Sequence, residues 1–475
     1  MKKCYNVLQS FYKCAVQLKH GNALDVLRLY FYAMKKFLLL LIILLQTTLL
    51  HAQTPNPALI GYWQNWFSAS APYIPLNQVD TRYNIIDVAF AIPQAGTDYQ
   101  MEFIPDQVSV PAFIAQVQSL QNQNKKVLIS VGGATAPVSL DNITERDSFI
   151  SSMNNIINTY GFDGMDIDLE GSSLTTTGGT IATPTDAKII HLIYAIKQIM
   201  SDYAATTGKR LILTMAPETA FVQGGMSAFG GIWGAYLPVI HALRDSIEIL
   251  HVQLYNSGSM YGIDGNIYTQ GTADFIVAMT EAIIQGFNTS GGAFAGLPAH
   301  KVAVGLPACT MAAGGGYADT LIVQSALKYL LGTGPKPGNY TLLQTGGYPN
   351  LRGMMTWSIN WDAVNTCASA YEYAVSFQSI FGNTVNIQNT FANNINVTVY
   401  PNPNAGIFKV NISSAQAAFQ KYYYTISDIT GRIVQQSALN DNIIQLHADS
   451  KGVYQLKISN GKNFYYSKLV VEDFE

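Results

Sequence analysis

The chain has 475 residues, enough for one large domain and a smaller one. Hydrophobic residues make up 48% against 12% charged, and the net charge is −3, so an ample core is available and the basic surplus of a nucleic-acid binder is missing. A neutral partner fits that balance better than a nucleic acid does.

From Met34 the text reads Met-Lys-Lys-Phe, a Leu/Ile run, and Leu50-His51-Ala52 before Gln53. Charged, apolar and small-residue regions in that order predict a secretory signal over 34–52, cleaved after Ala52. The apolar run falls short of the roughly 20 residues a membrane-spanning helix needs, so an anchor is the weaker reading. Residues 1–33 do not fit a signal n-region and are expected to be an over-extended upstream reading. Only Cys309 and Cys367 follow the cleavage point. Both lie just beyond neighbouring strands in an oxidising compartment, where a bridge competes with the commoner outcome of two free, half-buried thiols. No metal-ligand cluster is evident.

Short β-rich runs then alternate with longer helical stretches, the pattern of a parallel α/β fold. Strands are predicted at Gly61–Trp63, Ile85–Ala91, Lys126–Val131, Gly164–Glu170, Leu211–Ala216, Ile249–Tyr255, Val302–Leu306 and Gly353–Ser358. Helices are predicted at Pro111–Gln121, Arg146–Thr159, Pro184–Ala205, Ala273–Phe287 and Leu321–Leu331. Eight such units suggest a TIM (β/α)8 barrel over 53–381. A polar passage over 382–397 reads as a linker, and 398–475 as a small all-β sandwich of alternating strands between turn signals.

The fourth predicted strand, Gly164-Met165-Asp166-Ile167-Asp168-Leu169-Glu170, carries acids at every second position. In an extended strand Asp166, Asp168 and Glu170 point the same way, about 6.5 to 7 Å apart from one to the next. Crowding of like charges in a partly desolvated pocket pushes protons onto the last carboxyl, so Glu170 could stay protonated near neutral pH as a general acid. An exposed acidic strand or a hard-cation site is the ordinary alternative. Apolar Ile167 and Leu169 on the other face argue against it, because they suit a strand buried on both sides.

Asp163, Asp166, Asp168 and Glu170 together read D-x-x-D-x-D-x-E, which resembles the signature of family 18 glycoside hydrolases, the chitinases. Ser130-Val131-Gly132-Gly133 on strand three adds weaker support. The resemblance implies a retaining mechanism in which the substrate's acetamide is the nucleophile, with no cofactor and no metal. It implies Glu170 as acid, Asp168 orienting the acetamide, Asp166 tuning Asp168, and Tyr255 donating to the acetamide oxygen. Asp163, Trp357, Gln253, Asn256, Met215 and Trp63 are the expected substrate-binding residues. Trp63 and Trp66 are each as readily core as sugar platform. An endo-β-N-acetylglucosaminidase acting on N-glycans or a non-catalytic chitin-binding lectin would share the fold. Between strands seven and eight there is room for a helix and loops but not for an inserted α+β domain, so an open groove and endo-type cutting are expected, by a monomer.

Tyr400-Pro401-Asn402-Pro403 and Lys468-Leu469-Val470 in the tail resemble the C-terminal sorting domain of type IX secretion cargo. That resemblance implies a secreted protein, extracellular or surface-attached, whose tail is read by the type IX machinery. A carbohydrate-binding or adhesive module is the alternative for this segment.

Overall fold

The computed structural model describes residues 54–364, 369–382 and 396–471, the last stretch without 403, 414–420, 429–431, 440, 447–450 and 461–463. The expected signal, most of the linker and Cys367 lie outside these residues. Two compact units are divided between Ile380 and Phe381.

The first unit is built on eight parallel strands: β1 (Ala58–Gln64), β2 (Ile85–Pro93), β3 (Lys126–Gly132), β4 (Gly164–Asp168), β5 (Ile212–Met215), β6 (Ile249–Leu250), β7 (Ala303–Pro307) and β8 (Gly353–Trp357). Their order is β7-β8-β1-β2-β3-β4-β5-β6. The sheet closes on itself through parallel bridges between Leu250 and Val302 and between Gln253 and Gly305. The closing backbones approach so tightly that a β-carbon on Gly305 would stand 2.5 Å from the Val252 carbonyl oxygen, which requires glycine there. The sixth strand is shorter than its sequence predicts. Beyond Leu250 its pairing thins to bridges from Gln253 to Glu218 and Gly305, because the chain splays towards the barrel mouth.

Around the barrel lie α1 (Val110–Asn122), α2 (Ile143–Tyr160), α3 (Ala187–Thr207), α4 (Leu237–Leu243), α5 (Ala273–Gln285), α6 (Thr320–Leu330) and α7 (Glu372–Phe381). Local signals set their ends. Asn142 caps α2 by accepting from Glu145 N at 3.1 Å, Glu145 accepts in return from Asp141 N, and Gly161 ends the helix at φ 70°. Inside the barrel Ile60, Tyr62, Ile85, Leu128, Ile249 and Met355 belong to one buried cluster. Cys309, expected as a half-buried free thiol, is instead fully buried and disulfide-bonded.

Among the described residues the second unit holds seven strands in two sheets. One is β9 (Asn396–Tyr400), β10 (Ile407–Ser413) and β13 (Ile443–Gln445); the other is β11 (Tyr423–Asp428), β12 (Ile433–Ala438), β14 (Gly452–Ser459) and β15 (Phe464–Val471). Phe408, Val410 and Ile444 from the first sheet share a buried core with Ile426, Leu456 and Leu469 from the second, so the unit is an all-β sandwich. Its opening turn is pinned to its last strand, since Asn402 Nδ2 donates to Lys468 O at 2.6 Å and Val470 N donates to Asn402 Oδ1 at 2.8 Å.

Candidate active site

A cleft of about 960 Å³ opens at the C-terminal ends of the strands, with Asp168, Glu170, Gln253, Tyr255, Asn256 and Trp357 in its wall. Strand alternation produces the acidic row, and the row descends in exposure from mouth to core: Glu170 is partly exposed, Asp168 is 3% exposed and Asp166 is sealed. Close approach of β3 makes this possible. A β-carbon on Gly132, which sits at φ 103°, would stand 2.6 Å from Asp168 O.

Each carboxyl has a distinct set of partners. Asp166 accepts from Tyr62 OH at 2.5 Å, Ser130 Oγ at 2.7 Å and Thr214 Oγ1 at 2.7 Å. Gln253 Nε2 donates to Asp168 Oδ1 at 2.8 Å, and lies 3.0 Å from both Glu170 Oε1 and Ala216 O. Burial, then the charges of Glu170 and Asp166, hold the Asp168 carboxyl well above the usual range. Burial raises Glu170 as well, the Gln253 hydrogen bond opposes this, and the charge of Glu218 adds to it. Both carboxyls are thus held above their ordinary range, and the two titrate as a coupled pair. Burial also keeps the Tyr255 hydroxyl neutral, and hence a donor.

The Trp357 indole lies 5.7 Å from the Phe90 ring at 15°, 5.6 Å from Tyr62 and 6.3 Å from Trp66, which is 36% exposed at the rim. These rings give one wall an aromatic face suited to stacking on sugar rings. Asn256 adopts φ 54° and exchanges hydrogen bonds with Gly315, its N donating at 3.1 Å and its Oδ1 accepting at 3.2 Å.

Three expected binding residues stand elsewhere. Trp63 is 0% exposed, donates its indole N–H to Ile74 O at 2.7 Å and packs against Tyr73 and Phe113, so it belongs to the core between barrel and α1. Met215 is fully buried; since Thr214 reaches Asp166 inside the barrel, its neighbour Met215 faces the helical layer. Asp163 precedes β4 at the opposite rim, where its carboxylate accepts from Val127 N at 3.0 Å and Gln121 Nε2 at 3.1 Å. Sequence reasoning missed Tyr62, Thr214 and Phe90. Inward alternation along β1 and β5 marks the first two as facing the barrel interior, but nothing local marks their partner.

Among the described residues one group has metal-ligand chemistry: Asp87, Asp166 and His251, whose ligand atoms lie within 4.8 Å of one another. Asp166 is already occupied by its three hydroxyl donors.

Comparison with known proteins agrees with this geometry. Residues 58–374 match the model of glycosyl hydrolases family 18. The chain belongs to that family. Residues 398–472 match the secretion system C-terminal sorting domain, which identifies the sandwich. Chitinase Chi52 of Paenibacillus xylanexedens and chitinase D of Niallia circulans are each 47% identical over 67% of this chain, covering 61% and 62% of their own lengths. The chain thus spans less than two thirds of these curated relatives. A family GH18 chitinase from Chromobacterium violaceum superposes with a TM-score of 0.61 at 35% identity, over 69% of this chain and 84% of that one.

Proposed function

We propose that this protein is a secreted chitinase that cleaves β-1,4 bonds between N-acetylglucosamine units with retention, using the substrate's own acetamide as nucleophile. The observation that carries the reading is Glu170, at the exposed end of an inward acidic row, tied to Asp168 through Gln253 at the mouth of an aromatic-walled cleft. The named chitinases among the relatives support the substrate class.

In this mechanism Glu170 protonates the leaving glycosidic oxygen, and the acetamide carbonyl oxygen closes onto C1 to form an oxazolinium ion. Asp168 accepts the acetamide N–H and offsets the developing positive charge, while Tyr255 donates to the acetamide oxygen. Trp357 floors the sugar. Water, deprotonated by Glu170, then opens the ring on the original face. Asp166 tunes Asp168 from below, its charge raising the proton affinity of that carboxyl. The residues between β7 and β8, all described, hold α6 and loops without a strand, which supports an open groove and endo cutting. The sandwich supports export through the type IX machinery.

Glu170→Gln tests the assignment. General acid catalysis contributes about 10² to 10⁴-fold, so turnover of unactivated chitin oligosaccharides should fall into that range. More than a tenth of wild-type activity would sink the role, and an α-anomer as first product by NMR would sink the retaining course.

A further inference from the structure

The inward faces of β2 and β4 and the residue that follows β6 meet beneath Asp168, where Asp87, Asp166 and His251 are each 0% exposed. Neither carboxyl oxygen of Asp87 and neither ring nitrogen of His251 makes a hydrogen bond to another described residue. Yet the imidazole is poised between two acids: Nε2 lies 3.4 Å from Asp166 Oδ1 and 3.7 Å from Asp87 Oδ2. Two ionised carboxylates around a neutral imidazole would be an uncompensated buried charge, which is strongly unfavourable. One proton lowers that charge by a unit. On Asp87 it leaves a neutral acid beside a neutral imidazole, and on Nε2 it leaves a carboxylate beside an imidazolium. Either way the pair has no net charge. Burial, with the charge of Asp166 adding, pushes the Asp87 carboxyl well up; burial pushes His251 down, against the pull of Asp166.

We propose that Asp87 and His251 hold one proton between them as a net-neutral positioning pair that fixes the proton count of the Asp166–Asp168–Glu170 row. The proposal rests on reading that row as catalytic. As negative charge gathers on the row, the Asp87 O–H bond breaks and an Nε2–H bond forms, pointing at Asp166 Oδ1, with no proton gained or lost. The other groups facing the pair leave it this freedom. Tyr62 stands edge-on to the imidazole at 6.2 Å with its hydroxyl committed to Asp166. Asp168 lies above; β3 and β5 offer the non-titrating Ser130 and Thr214, and β7 and β8 the apolar Ala303 and Met355.

The test is the pH profile of kcat/KM on soluble chitin oligosaccharides for Asp87→Asn, His251→Gln and the double variant. Without the transfer no Nε2–H cation forms beside Asp166, so the row keeps its own proton to higher pH and the acidic limb should move up by about half a unit or more. The double variant should shift no further than either single one, since each single replacement already abolishes the transfer from Asp87 to Nε2. Limbs left in place, with only Tm or kcat lowered, would reduce the pair to a structural role and overturn the proposal. Should the variants not fold, ¹⁵N-histidine NMR of the wild type decides. The His251 signal should show no titration near the ordinary imidazole pKa of about 6.5. Ordinary titration there, or one equivalent of metal bound by the purified protein, would overturn it. Glu170→Gln separates the two readings: if it stays active the row itself has been misread, and if it is dead while the limbs stand still, only the pair has.

Discussion

Gln253 donates to Asp168 Oδ1 at 2.8 Å from a strand on the far side of β5, so a neutral amide, not a cation, steadies the most buried acid of the cleft wall. A cation would hold both carboxyls ionised and leave no acid. The amide lowers their proton affinity only part-way, which suits a pair that must keep one proton and release it during turnover.

Gln253→Ala should therefore move the whole pH profile of kcat/KM towards alkali. Its hydrogen bond lowers both carboxyls, so removal raises both. On the proposed mechanism the acidic limb follows loss of the Asp168 proton and the alkaline limb loss of the Glu170 proton, and both shift up. A hydrogen bond to a charged group contributes about 1.5 to 3 kcal/mol, roughly ten- to a hundredfold in kcat/KM. An unshifted profile would show that the amide does not set these proton affinities.

Phe90→Ala should loosen the sugar platform without touching the acids. The stacked Phe90–Trp357 pair holds the indole, and such pairs are worth about 0.5 to 1.5 kcal/mol. KM for chitin oligosaccharides should rise roughly two- to tenfold while the pH profile stays put. An unchanged KM would mean that Trp357 is fixed by its other neighbours.

Trp63→Phe and Asp163→Ala should behave as stability variants. Each loses hydrogen bonds and packing away from the cleft, at a cost of about 1 to 3 kcal/mol, visible as a lower denaturation midpoint. KM should not change. A KM shift in either at full stability would return that residue to the substrate.

A chain ending after Gly382 should fold and hydrolyse soluble chitin oligosaccharides, since the barrel and cleft lie on one side of the division at Ile380. In the native host the shortened enzyme should accumulate in the periplasm while the full-length form reaches the medium or cell surface. Normal export without the tail would end the sorting role, and loss of binding to insoluble chitin alone would favour a carbohydrate-binding module.

The barrel was legible because period-two and helical patterns alternate so regularly, and every predicted strand overlaps an observed one. The short α4, with Pro238 near its start, and α7 offer too little periodic signal to be read. In the site, the acidic row was readable because strand alternation alone aligns it. What stayed hidden depends on neighbours across the barrel. Trp63 and Trp66 are three residues apart with the same chemistry, yet one is sealed against α1 and the other sits at the rim. Asp163 shares the motif but precedes the strand, and only the strand's direction reveals that it faces the wrong end. Tyr62 meets Asp166 across 104 residues, a distance no local pattern spans.

The barrel's seam gives heat a particular route to inactivation. Where β6 meets β7, Gln253 is both one of the bridges that close the ring and the side chain that steadies the acids. Apart from the short β5–β6 ladder on its other side, every neighbouring pair in the ring has four or more ladder partners, so the first breathing motion of a warming barrel is expected at this join. A slight parting there would carry the amide away from Asp168 while the helices remain intact. Turnover would then go quiet below the melting temperature and return on cooling, making activity a more sensitive thermometer of this fold than its circular dichroism.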